Sequence, residues 1–154
     1  MVRLSNNFTL QEYTKSQTAI RQGLDNTPSE EHLAKAKLLF EKVVQPVRDN
    51  FGVTVINSGY RGSALNQAVG GSSKSQHCKG EAVDIECPGV ANYDVANWIA
   101  DNLDFDQLIL EFYTPGIPDS GWVHVSYKET DNRKSILTAM KENGKTVYKP
   151  GLIQ

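Results

Sequence analysis

The chain changes its hydrophobic period at Gly52, and that change limits the folds open to it. Before it, Leu33, Ala36, Phe40, Val43, Val44 and Val47 recur at helical spacing and form one apolar stripe. After it, Val53-Thr54-Val55-Ile56-Asn57-Ser58 is largely β-branched and reads as a strand. Further strands are predicted over residues 82–87, 107–112 and 122–127, with a short last one over 145–148. Helices early and strands later predict an α+β fold, a mostly antiparallel sheet with helices on one face.

Local signals set the boundaries. Thr9 suits the N-cap of a short helix. Thr27, Pro28 and Glu30 predict the start of the long helix, with Thr27 as cap and Glu30 completing a capping box. Pro46 lacks an N–H donor and predicts a kink or local break, and Asn50 with Gly52 supplies the stop. Gly59, Gly62, Gly70, Gly71, Ser72, Ser73 and Ser75 mark a loop-rich stretch, with a helical turn or two over 64–69. Residues 93–102 predict a helix whose inner face is Val95, Ala96, Ile99 and Leu103. A loop over 113–121 joins the strands on either side. No repeat or long linker divides the sequence, so one domain over residues 1–154 is expected, with a helical part at about 8–50 and a sheet part at about 53–148.

Composition excludes several classes. A net charge of −2 without a Lys/Arg run offers no footprint for nucleic acid. No apolar stretch is long enough to insert in a membrane, and residues 1–13 have no signal-peptide core. Synthesis in the cytoplasm is therefore expected. Cys78 and Cys87 make no disulfide framework and read as free thiols.

The chemistry gathers around two of the three histidines. Asp84 interrupts an apolar strand, a costly place for a carboxylate without a partner. Alternation puts Ala82, Asp84 and Glu86 on one face and Val83 and Ile85 on the other. Trp122, His124 and Ser126 share a face in the same way, opposite Val123 and Val125. With His77, these residues offer two imidazoles and one carboxylate, the ligand set of a catalytic zinc with an open fourth position. One Zn2+ ion there would lower the pKa of its bound water towards ~7.

The string Ser75-x-His77-x-x-Gly80-x-Ala82-x-Asp84, followed by Trp122-Val123-His124, resembles the M15 group of zinc D-Ala-D-Ala carboxypeptidases and phage endolysin peptidases. That group shares its fold with the hedgehog signalling domain. The resemblance begins at Phe8-Thr9-Leu10-Gln11-Glu12-Tyr13, includes Ser58-Gly59-Tyr60-Arg61 and ends near Tyr127. It implies that His77, Asp84 and His124 bind zinc, that Arg61 binds and polarises the substrate, and that Ser75 supports the site.

Two positions depart from the family pattern. Many members carry an acidic general base three residues before the second histidine, where this chain has Gly121. Glu111, at the end of an apolar strand, is the expected replacement, because a neighbouring-strand Glu matches hedgehog-like and phage-type variants of the fold. Asp119 reads as a solvated turn residue. Trp122 stands where many relatives have a histidine, and reads either as a flat wall for the substrate peptide or as packing. His32, Glu81 and Glu86 read as surface residues, Asp104 and Asp106 as turn chemistry, and Cys78 as pointing away from the metal site.

The resemblance implies a monomeric enzyme that cuts the peptide part of bacterial peptidoglycan. A compact phage-type endolysin would accumulate in the host cytoplasm and reach the wall through a holin-type lesion. The alternatives are a carboxypeptidase trimming terminal D-Ala and a non-catalytic zinc-stabilised binding or virion module.

Overall fold

The computed structural model describes residues 2–72 and 75–153, so Ser73 of the expected loop lies outside the described residues. The chain opens with a small hairpin, β1 (Arg3–Ser5) and β2 (Phe8–Thr9), whose Leu4 and Phe8 are buried. Thr9 then caps α1 (Leu10–Thr14), as its sequence predicts, and Glu12 completes a capping box with it. Next comes α2 (Gln17–Gln22), capped by Ser16.

The long helix begins later than the Thr27 signal predicts. Its cap is Ser29, whose hydroxyl accepts from the His32 N–H, and α3 runs Glu30–Leu39. Thr27 instead donates its N–H to the Asp25 carboxylate in the preceding turn, so Asp25 competes for the residue that would have capped. The α-helix is locally interrupted just before Pro46, without the chain leaving its helical path. A π-helical turn, Phe40–Val44, separates α3 from α4 (Gln45–Phe51), and the Gln45 N–H reaches back to Phe40 O. Widening the turn by one residue accommodates the missing proline donor. Gly52, at φ 88°, ends the helix.

The rest of the chain builds the sheet: β3 (Val55–Ser58), α5 (Ser63–Ala68), a 3-10 turn (Gln76–Lys79), β4 (Ala82–Glu86), α6 (Asn92–Asn102), β5 (Gln107–Glu111), β6 (Trp122–Ser126), β7 (Ser135–Glu142) and β8 (Lys145–Pro150). Six strands lie in the order β3-β4-β6-β5-β7-β8. Every neighbouring pair is antiparallel except β5 with β7. The architecture is α+β, as the change of period predicts.

Alternation decides the two faces. Val83, Ile85, Leu108, Leu110, Val123 and Val125 turn inward and are buried with Phe40, Val43, Val44 and Val47 of the helical layer and Val95, Ala96 and Ile99 of α6. The opposite face carries a cross-strand row in which Asp84 pairs with His124 and His124 with Ile109. The next row pairs Trp122 with Glu111 and Glu111 with Ala139, which in turn pairs with Tyr148. The hydrophobic face thus fixes the register that displays the polar one.

Candidate metal centre and cleft

His77 sits on the 3-10 turn just before β4 and is 4% exposed. Ser75 caps that turn, its hydroxyl accepting from the His77 N–H at 3.2 Å. The imidazole Nδ1 lies 2.7 Å from the Gly59 carbonyl. A carbonyl only accepts, so Nδ1 carries the hydrogen and the ring is oriented with Nε2 towards Asp84. That carbonyl is in reach because residue 59 packs directly against α1. A Cβ there would collide with the Tyr13 carbonyl and ring. Tyr13 is itself fixed, donating its hydroxyl to Ala82 O at 2.9 Å.

Asp84 and His124 face each other across β4 and β6. Asp84 Oδ1 lies 2.9 Å from His124 Nδ1 and 3.5 Å from His77 Nε2, and the two rings are 5.2 Å apart. One ligand atom from each of the three residues falls within 4.8 Å of the others. Burial pushes the Asp84 carboxyl up, but hydrogen bonds with His124 and His77 outweigh it and hold the group well below the usual carboxylate range. The donor chemistry fits a metal. With its Nδ1 hydrogen committed to Gly59, His77 turns Nε2 towards an Asp84 oxygen at 3.5 Å, so two imidazoles and one carboxylate converge as a metal's donor set would.

Glu111 ends β5 on the same face, two residues along from Ile109, the partner of His124. Its carboxylate accepts the indole N–H of Trp122, its register partner. Burial, and then the negative charge of Asp84, raise its pKa above the ordinary glutamate value, against opposing effects of His124, Trp122 and His77. A proton acceptor raised in this way sits closer to neutral pH, where general bases work best. Gly121, at the usual family position of the base, has φ 67°, and a Cβ there would run into the carbonyls of Glu111 and Phe112. Backbone geometry therefore excludes an acidic side chain at this position. Asp119, the other acidic residue nearby, is exposed in the loop.

Arg61 enters from the loop after β3. Its N–H binds His77 O at 3.1 Å, and its Nη2 donates to Ser75 Oγ at 3.3 Å. Its buried Nε has no protein partner among the described residues. A cleft of about 1030 Å³ unites Arg61, Ser75, His77, Asp84, Glu111 and His124. Trp122 is not among the described residues that line it. The thiol of Cys78 lies 3.8 Å from Ser72 O and outside the ligand cluster.

Three residues expected at the surface or in turns have other places. His32 lines the cleft, its Nδ1 3.0 Å from the Tyr60 hydroxyl. Glu81 is buried and pairs with Lys35 at 3.9 Å, and Lys35 also approaches Glu31 at 3.8 Å. Asp106 is buried, holding Arg133 through Nε at 3.0 Å and Nη2 at 2.8 Å and accepting from Gln76 at 3.0 Å. No sequence periodicity marks these residues, because each acts through a partner distant in the chain. Glu86 remains near the surface, accepting from Asn57 and Asn92.

The sequence profile of the family described as Peptidase M15 matches residues 6–126. The chain belongs to the peptidase M15 family. No curated protein matches the chain. The M15 match runs from the first hairpin to the end of β6, and so contains the ligand cluster, Arg61, Ser75 and Glu111. It ends before β7 and β8. Lys128, Arg133 and Tyr148 nevertheless line the cleft, so residues beyond the M15 match extend its wall. No helix among the described residues is long and apolar enough to cross a membrane.

Proposed function

We propose that this M15 chain is a zinc-dependent peptidase of bacterial peptidoglycan stem peptides, acting as one domain and one monomer in the manner of a phage-type endolysin. The supporting observation is the meeting of His77, Asp84, His124 and Glu111 in one cleft, with Arg61 and Ser75 at its side. His77, Asp84 and His124 would hold the ion. Zinc bound there supplies a Lewis acid for water activation and carbonyl polarisation.

The chain's own residues carry the rest. Glu111 takes a proton from the attacking water on its carboxylate and returns it to the amine nitrogen that leaves. Arg61 meets the oxygen that gains charge, using donors not already held by Ser75. Ser75 holds both the guanidinium and the His77 turn in place. Asp84 remains ionised throughout, which suits a ligand. The cleft is lined by His32 and Lys35 of α3 and Tyr148 of β8 as well as by the ligand cluster. A cleft of about 1030 Å³ with walls from α3 and β8 favours an extended substrate cut internally over removal of a terminal D-Ala.

Incubating zinc-loaded protein with purified peptidoglycan tests this reading. New amino groups should appear, and mass spectrometry should place them at an internal stem-peptide bond. Glu111→Gln should retain zinc and lower kcat by about a hundredfold or more. An unchanged rate in that variant removes Glu111 as the base, and intact wall after incubation with the wild type contradicts the substrate assignment.

A further inference from the structure

Trp122 is not among the described residues that line the cleft, yet it makes a specific polar contact with one that does. It opens β6 directly opposite Glu111, so the two side chains leave the sheet on the same face. The indole N–H donates to Glu111 Oε2, while Oε1 has no hydrogen-bond partner among the described residues. The ring cannot drift from this pose easily. Phe112 packs against it at 5.4 Å between centroids and 57° between planes. Phe112 is itself turned by a left-handed φ of 56° and tied by its N–H to Ala139 O at 2.9 Å. On the other side, Gly121 lies flat against the Glu111 carbonyl and sets where the Trp122 backbone begins.

An indole differs from a histidine at such a place. It donates one hydrogen bond, accepts none and does not titrate in the physiological range. It can therefore orient a carboxylate at every working pH without competing for the proton that the carboxylate must carry. It also lacks the full charge of an arginine or lysine, which would hold the carboxylate ionised too firmly to act as a base.

We propose that Trp122 is a positioning residue, whose indole N–H fixes Glu111 Oε2 so that Oε1 is presented to the ligand cluster. The proposal rests on the reading of Glu111 as general base. Loss of the donor leaves the ring packing but frees the carboxylate to rotate, and misplacement of a reacting group by about 1 Å can cost roughly a hundredfold.

Two measurements test it. In 1H–15N spectra the indole N–H of Trp122 is identified by its absence in Trp122→Phe, and Glu111→Gln should shift it while leaving the Trp98 signal in place. In kinetics, Trp122→Phe should lower kcat roughly tenfold to a hundredfold with KM and zinc content unchanged, and Trp122→His, which restores an N–H donor, should recover part of the loss. If neither of the two indole signals moves in Glu111→Gln, the proposal is overturned, even if Trp122→Phe does not fold. A full rate in Trp122→Phe when Glu111→Gln is impaired also overturns it, and in that case the base assignment survives. Full activity in Glu111→Gln overturns the base assignment, and the proposal with it.

Discussion

Restoring the common family residue at position 121 should damage this protein. Many M15 relatives place an acidic base three residues before the second histidine, so Gly121→Asp looks like a repair. At Gly121 the backbone has φ 67°, where a side chain costs about 1–2 kcal/mol. The new Cβ would also meet two backbone carbonyls, those of Glu111 and Phe112, which cannot swing aside as a flexible side chain would. Relief requires the end of the β5–β6 ladder to open at the Glu111–Trp122 pair. A ladder hydrogen bond adds about 1 kcal/mol to the loss. The sum is about 2–3 kcal/mol, within the range for a strained backbone site. At roughly 2–4 °C per kcal/mol for a domain of this size, Tm should fall by about 4–12 °C. Thermal unfolding followed by circular dichroism measures this directly, with Gly121→Ala as the control that carries the Cβ without the charge. Both variants should be destabilised, and Gly121→Asp/Glu111→Gln should stay inactive. Wild-type Tm in Gly121→Ala would refute the clash argument, and restored activity in the double variant would refute the placement of the base.

Three more outcomes follow from the same structure. Burial raises the pKa of Asp106, but its bonds with Arg133 outweigh that and lower it, so its contribution to stability is present above the unfolded carboxyl value of about 3.9 and fades as pH falls through the lower folded value. Asp106→Asn should therefore lose about 2 kcal/mol at pH 7 in urea unfolding, with the gap to wild type narrowing below about pH 4. Tyr148→Ala should raise KM for a long stem peptide severalfold while kcat changes little, because Tyr148 lines the cleft but does not belong to the ligand cluster. Asp84→Asn should abolish stable zinc binding, as measured by metal content after dialysis, because the amide replaces the ionised oxygen on which both imidazoles converge.

Much of this arrangement is legible in the sequence because it rests on alternation. Val83 and Ile85, then Val123 and Val125, commit one face of their strands to the core, which forces Asp84 and His124 onto the other. The strand β7 is not legible in that way. Its Ala139-Met140-Lys141-Glu142 end has strong helix formers and no polar–apolar alternation, so only pairing with β5 makes it extended. The first hairpin is too short to show a period. Ser29 displaces Thr27 as the helix cap because Asp25 binds the Thr27 N–H, a local contest that residue preference alone does not decide. Glu81 looks like a surface charge and Asp106 like turn chemistry because their partners, Lys35 and Arg133, lie 46 and 27 positions away. Trp122 carries a double signal in sequence, wall or packing. The bond to Glu111 depends on the register of β5 with β6, which the residue type cannot reveal.

The metal centre is the claim on which the rest depends. Anomalous diffraction at the zinc edge, from crystals grown with one equivalent of zinc, tests it most directly. The account predicts one strong peak per chain, between His77, Asp84 and His124. A peak elsewhere, or none at these three side chains, would contradict it.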